Sequence, residues 1–379
     1  MTDNTPGQAW TLDDDWWAVL QCLPRGWMEQ ARNTGAIRRA RAFRDPQLLL
    51  RALMIHLAEG CSLRETAVRA RASGLANVSD VALMKRLRAS EEWLRWMCRQ
   101  MVEEHRLLVL PTRSFGTEMR IRLADATAVS EPGSTGTDWR LHYAVELRTL
   151  QCDFFEVTDV RGGESYRRIP VVGGDLVLGD RIYATKEGVR HVVEHGGHVL
   201  VRMRVGGLCC RTADDRPFPL FSRLKTIRIG QVGEWDAWVV TRDGTRIQRR
   251  ICAIRRSRAA AGLAERRLRR KCQRKCRTPG SRSLLAAKYV FVFTTLPATL
   301  VGAREALDLY RARWQVELVF KRLKSVLGFG HLPKYDQTSS RAWLHGKLLV
   351  ALIAERLVAM ARAFSPWGYQ IPETCAAHA

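Results

Sequence analysis

Between Arg120 and Met203 the chain alternates short apolar runs, polar turns and one helical stretch, and this alternation narrows the fold more than any other feature. Arg120-Ile-Arg-Leu-Ala-Asp125, Tyr143-Ala-Val-Glu-Leu, Phe154-Phe-Glu-Val-Thr, Leu176-Val-Leu-Gly-Asp180 and Val199-Leu-Val-Arg-Met read as strands, and Lys186–His195 reads as a helix. Strands interleaved with helices indicate an α/β or α+β core. The preceding segment has a different period. From Pro46 to about Arg106 apolar residues such as Leu49, Leu53, His56 and Leu57 recur at three-to-four spacing, the mark of helices. Ser62-Leu-Arg-Glu65 predicts a capping box, Ser73-Gly74 breaks the helix that follows, and Ser79 can cap a second one carrying Lys85, Arg86 and Arg88. Two short helices about a Gly-containing turn suit a helix-turn-helix whose second helix meets DNA; a plain bundle with solvated charges suits the same pattern. Trp10, Trp16 and Trp17 suggest a packed N-terminal arm.

Past Gly206 the texture changes again. Thr226–Ile229, Ala237–Thr241 and Ile247–Ile254 read as short strands between Gly-rich turns, a β-rich insertion. Its end, Arg249–Arg277, holds 13 Lys and Arg against the single acid Glu265. Charge at that density repels itself unless an anion neutralises it, and Arg266, Arg269, Arg270 and Lys271 are the expected contacts to a nucleic-acid backbone. Tyr289–Thr295 then returns to a core strand, and Ala303–Leu327 and Ser339–Phe364 predict long helices. The whole chain of 379 residues carries 62 Lys+Arg against 38 Asp+Glu, a net charge of +24, so a polyanion is the expected partner.

Other classes recede. No run approaches the roughly 18 apolar residues of a membrane helix, and the first residues lack the pattern of a signal peptide, so a cytoplasmic protein with no membrane partner is expected. Ten irregularly spaced cysteines predict free thiols. His191, His195 and His198, like Cys272 and Cys276, have metal-like spacing but no companions that complete a four-ligand site.

The acids carry the chemistry. Asp125 and Asp180 each close a predicted strand, where a carboxylate can meet a hard divalent cation. Glu317 lies on an otherwise basic helix, in a stripe with Tyr310, Arg313, Lys321 and Lys324 at 100° per residue. The stripe reads as a grip on something anionic, or as an i,i+4 ladder of Arg313, Glu317 and Lys321 on a solvated surface.

Tyr310-x2-Arg313-x3-Glu317-x6-Lys324 resembles the Tyr-Arg-Glu-Lys signature of bacterial insertion-sequence transposases of the cut-and-paste Asp-Asp-Glu (DDE) type. Ala124-Asp125-Ala126-Thr127 and Asp180-Arg181-Ile182-Tyr183 are similar to the settings of that family's two aspartates, with Ile182 where Gly is usual. The resemblance implies an RNase H-like mixed sheet with flanking helices and a β-rich insertion, which the helical periodicity before Arg106 precedes with an N-terminal all-helical domain. It implies catalysis by Asp125, Asp180 and Glu317, which would bind two Mg²⁺ (or Mn²⁺) ions. Tyr310, Arg313, Lys321, Lys324 and Arg181 would hold double-stranded DNA beside them, with Trp235 and Trp238 as candidates for base stacking. A homodimer would pair the two element ends. The expected division is 1–112 for end binding, 113–205 and 285–365 for the catalytic core, 206–284 for the basic insertion, and 366–379 as a tail. A repressor derived from a transposase, and a nuclease on the same fold, are the competing readings.

Overall fold

A computed structural model describes residues 12–38, 43–108, 112–114, 117–333 and 336–363. Trp10 and the expected tail lie outside these residues. Six helices come first: α1 (Leu12–Gln21), α2 (Trp27–Asn33), α3 (Pro46–Leu57), α4 (Leu63–Ala72), α5 (Asp80–Ala89) and α6 (Glu91–Leu108). Five strands follow, β1 (Thr112–Ser114), β2 (Thr117–Val129), β3 (Trp139–Glu146), β4 (Cys152–Asp159) and β5 (Asp175–Gly179). Then come α7 (Lys186–Glu194), β6 (His198–Arg202), α8 (Leu220–Thr226), β7 (Val232–Val240), β8 (Arg246–Arg255), α9 (Arg258–Gln273), α10 (Ser281–Ala287) and β9 (Tyr289–Thr294). The last helices are α11 (Ala303–Arg311), α12 (Trp314–Ser325) and α13 (Gln337–Ala363).

Contacts gather the chain into two units. One comprises 1–107, 129–136 and 322–379, the other 108–128 and 137–321, with the division falling inside α12. The first unit is helical. Its helix starts are set by local chemistry: Asp45 accepts from the Gln47 N–H at 2.9 Å, Ser62 from Glu65 at 3.1 Å and Ser79 from Ala82 at 3.2 Å. The return half of the expected box is replaced, because the Glu65 carboxylate pairs with Arg69 at 2.8 Å. Helix α13 packs against α3 and α5. Gly346 permits the approach, since a Cβ there would lie 2.5 Å from Leu57 Cδ1. Arg356 then ties α13 to the carbonyls of Cys22 and Met101 at 2.9 and 2.8 Å. Residues 322–363 thus pack with the N-terminal helices, a division drawn elsewhere than at the expected boundaries. In the arm, Trp16 lies under the Arg51 guanidinium at 5.5 Å, whereas Trp17 is exposed.

The second unit is a mixed sheet with flanking helices, in the order β4-β3-β2-β5-β6-β9-β8-β7, with β1 paired to β2. Strands β2, β5 and β6 run parallel, while β9, β8 and β7 continue antiparallel beyond β6. The α/β class with a mixed sheet therefore holds. Strands β7 and β8, from the expected insertion, extend the core sheet through β9, with Arg250 opposite Thr294. Register at the start of the parallel pair is pinned by charge. Arg120 donates to Asp175 at 2.8 Å, and Arg122, fully buried, donates to Asp153 at 2.5 Å and to Asp175 at 3.1 Å.

Two expected elements take other forms. Thr226–Ile229 is no strand: Leu220–Thr226 is helical, Leu224 and Ile227 are buried three residues apart, and Ile229 keeps a single bridge to Arg255. A short apolar run does not separate helix from strand until the packing is known. The long helix Ala303–Leu327 is interrupted at Ala312–Arg313. There Arg313 N–H reaches Tyr310 O at 3.2 Å and Gln315 N–H reaches Ala312 O at 2.9 Å, i→i−3 bonds that tighten one turn. A 100° stripe assumes uniform winding, so Tyr310 on α11 and Glu317 on α12 no longer share a continuous helix face.

Candidate active site

Parallel register builds the centre of the site. Pairs between β2 and β5 run from Arg120 opposite Asp175 to Leu123 opposite Leu178. Two residues beyond the last pair, the same offset brings Asp125 and Asp180 to the same end of the two strands, where the charge of one acts on the other. Pairs between β5 and β6 end with Gly179 opposite Val201, so Arg202 is next in the row. Asp125 does not close its strand, since β2 continues to Val129. Asp180 does lie just past the last residue of β5, where its Oδ1 accepts the Ile182 N–H at 2.7 Å and turns the chain.

Glu317 joins through a cation. Arg313 donates from Nη1 to Asp125 Oδ2 at 3.2 Å and from Nη2 to Glu317 Oε1. Arg313 and Asp125 are largely buried, and the Glu317 side chain is half exposed. Burial pushes the Asp125 carboxyl up to about 6; the Ala126 N–H and Arg313 oppose this, and the negative charges of Asp180 and Glu317 add to it. The helix starting at Trp314 buries Val316 and Phe320 and sets Phe320 against Tyr143 at 5.9 Å, which orients Glu317.

Other expected contacts take varied positions. Tyr310 is 7% exposed, and burial raises its phenol to about 12 against the pull of Arg313 and Arg202. Arg181 shares its surroundings with Tyr310, Arg256 and Asp180. Lys321 and Lys324 are exposed on α12. Arg266, Arg269, Arg270 and Lys271 are all exposed on α9, a helix with no buried residue. On α5, Lys85 is exposed, Arg86 donates to Ala36 O at 3.2 Å, and Arg88 pairs with Asp336 at 2.8 Å. Trp235 and Trp238 are three apart on β7 and so face opposite sides of the sheet. Trp235 packs on the core and over Gly233, while the Trp238 backbone pairs with Arg211.

Three residues absent from the sequence reading enter here. Arg202 does so through register. Glu164 is held by Arg140 at 3.6 Å, and burial together with the charge of Asp125 raises it to about 7. Tyr166 is fully buried with no partner for its hydroxyl. Of the three, Arg202 alone had a sequence signal, its place at the end of an apolar run; Glu164 and Tyr166 lie in a short segment without periodicity.

The histidine cluster is engaged locally, with His191 Nε2 3.2 Å from Ile169 O and His195 Nδ1 2.7 Å from His191 O. Among the described residues no group of three or more His, Cys, Asp or Glu is gathered closely enough to hold a metal ion, and the described cysteines are free. No helix among them is long and apolar enough to cross a membrane.

The family described as the transposase DDE domain matches residues 117–353, and the chain belongs to it. More narrowly, it is 31% identical over 360 residues to the putative transposase InsL for insertion sequence element IS186A of Escherichia coli K12, which covers 93% of this chain and 96% of that protein. The transposase for insertion sequence element IS421 of Escherichia coli is also 31% identical, with the same coverage. The chain is thus a bacterial insertion-sequence transposase. Among solved structures, a cryo-EM structure of the piggyBac transposase synaptic complex with hairpin DNA is similar with a TM-score of 0.45, at 9% identity, over 90% of this chain and 72% of that one.

Proposed function

We propose that Asp125, Asp180 and Glu317 form the catalytic triad of this transposase, which nicks and excises its element and joins the freed 3′-OH ends to target DNA. The single observation that carries the reading is that Asp180 and Glu317 both lie close enough to Asp125 to raise its carboxyl, with Arg313 linking Asp125 to Glu317. A hairpin-connected trio β2–β4, with parallel β5 and β6 on the other side of β2, supports the RNase H-like description.

The donors fit a hard divalent cation in chemistry: three carboxylates, one of them raised toward neutrality by burial and by its acidic neighbours. Asp125, Asp180 and Glu317 would hold it, with Arg313 as the resident counter-charge of Asp125 and Glu317. When bound, two Mg²⁺ (or Mn²⁺) ions would supply activation of the attacking oxygen and stabilisation of the leaving 3′ oxygen. The chain's own residues do the rest. Tyr310 and Arg313 hold the backbone phosphate beside the acids, while Lys321, Lys324 and Arg181 add charge around it. The exposed arginines of α9 track the duplex further away, and Lys85 on α5 meets the terminal repeat. Each product would arise in a homodimer that brings two ends together.

The test is cleavage of a labelled duplex carrying the terminal repeat, with Mg²⁺ or with EDTA, by wild type and by Glu317→Ala. The expected result is metal-dependent 3′-OH ends that vanish in the variant while the duplex is still retarded. Equal retardation by both proteins without cleavage under Mg²⁺ or Mn²⁺ would overturn the catalytic reading in favour of a repressor.

A further inference from the structure

The Tyr166 side chain is completely buried, yet its hydroxyl has no hydrogen-bond partner. Buried polar groups in native proteins are almost always paired, so an orphan beside a functional site asks for an explanation. Its place is specific. The ring packs on Tyr183 with centroids 5.0 Å apart, and its hydroxyl end covers Gly179 so closely that a methyl there would overlap it and lie 2.9 Å from Tyr183 Cβ. Gly179 is the last residue of β5 and Asp180 follows it. The hydroxyl therefore stands one peptide from Asp180, with Tyr310, Tyr183 and Asp180 as its electrostatic neighbours and Arg313 opposing them. Asp180 offers an acceptor, because Oδ1 takes the Ile182 N–H and Oδ2 has no hydrogen bond among the described residues.

We infer that Tyr166 is a positioning residue whose hydroxyl donates to the Asp180 carboxylate in the cation- and DNA-loaded state. The inference rests on the assignment of Asp180 to the triad. It gives the glycine a reason: only a residue without Cβ lets the phenol lie over the strand end. It also gives the buried hydroxyl a partner when Asp180 turns toward a cation. The contact orients the carboxylate that the chemistry needs, as hydrogen bonds behind a metal ligand commonly do.

The experiment compares wild type, Tyr166→Phe and Gly179→Ala in three measurements: the melting temperature without metal, the rise in melting temperature on titrating Mn²⁺ alone, and cleavage of the terminal-repeat duplex. Tyr166→Phe keeps the ring, so its metal-free melting temperature is expected to equal or exceed that of wild type. Its Mn²⁺ midpoint is expected to rise about tenfold and its cleavage rate to fall at least about tenfold, with duplex retardation unchanged. Gly179→Ala displaces the phenol and is expected to reproduce both defects; should it fail to fold, Tyr166→Phe still decides. A Tyr166→Phe protein with wild-type Mn²⁺ midpoint and cleavage overturns the inference while leaving the triad standing. A wild type that neither cleaves nor responds to Mn²⁺ overturns the triad reading, and this inference with it.

Discussion

Strands β2 and β5 carry charge at both ends of their parallel pairing, and the two ends handle it in opposite ways. At the start, Arg120 and Arg122 meet Asp153 and Asp175, two cations against two acids, all buried and joined by hydrogen bonds. At the carboxyl end, Asp125, Asp180 and Glu164 gather with Glu317, and the cations bonded to them are Arg313 and Arg140. The first cluster is closed: every charge has its counter-charge inside the fold. The second is more open: Arg181 and Arg202 also lie near Asp180, the Glu317 side chain is half exposed, and burial leaves the carboxyls of Asp125 and Glu164 raised to about 6 and about 7. The same two strands thus supply a closed clamp for register at one end and a partly exposed row of acids and arginines at the other. Burying carboxyls in such a row is costly to fold, because burial disfavours their charged forms.

Experiments can break this contrast. The largest effect is expected from Asp180→Asn, which removes a proposed cation donor from the row: cleavage should fall at least about 10³-fold, roughly 4 kcal/mol in barrier, with folding intact by circular dichroism. Retained cleavage would show that the acidic row has no catalytic role. Next, Arg122→Met leaves Asp153 and Asp175 buried against one arginine, and a loss of about 3–5 kcal/mol is expected in urea unfolding. A loss below about 1 kcal/mol would mean that the clamp is no tighter than a surface pair.

Titration sharpens the comparison. The Asp125 carboxyl is raised above its unfolded value, so its contribution is fully present below about pH 4 and is lost as pH rises through about 6. In chelator, Asp125→Asn should therefore flatten the decline of melting temperature across that window; an unaltered slope would place the burden on Glu164, whose window extends to about 7. The smallest effect concerns α9. Arg269→Ala with Arg270→Ala should lower the dependence of log binding constant on log salt by about two contacts' worth, with cleavage at saturating protein unchanged.

Several of these elements follow from local order in the chain alone. The caps at Ser62 and Ser79 were legible because they depend on residues three apart, as were the strands around Asp125 and Asp180 because alternation depends on near neighbours. The Tyr310, Arg313, Glu317 and Lys324 spacing was read as one helical stripe, yet the tight turn at Ala312–Arg313 was invisible to a stripe drawn at constant pitch. The strand expected at Thr226–Ile229 became a helix end, since burial of Leu224 and Ile227 was decided by distant partners. Opposite faces for Trp235 and Trp238 follow from period two and were there to be counted.

By itself, then, the sequence determined the local elements, the basic surplus with its concentration in Arg249–Arg277, and the segments that resemble the family's motifs. Tertiary structure alone decided which acids stand in one row, that α13 packs with the first helices, that β7 and β8 extend the main sheet, and that Glu164 and Tyr166 belong beside Asp180. The physical reason is range. Caps, turns and periodicity are settled within a few residues of the chain, whereas register, burial and the balance of charge are settled between strands that lie tens of residues apart and meet when the sheet closes.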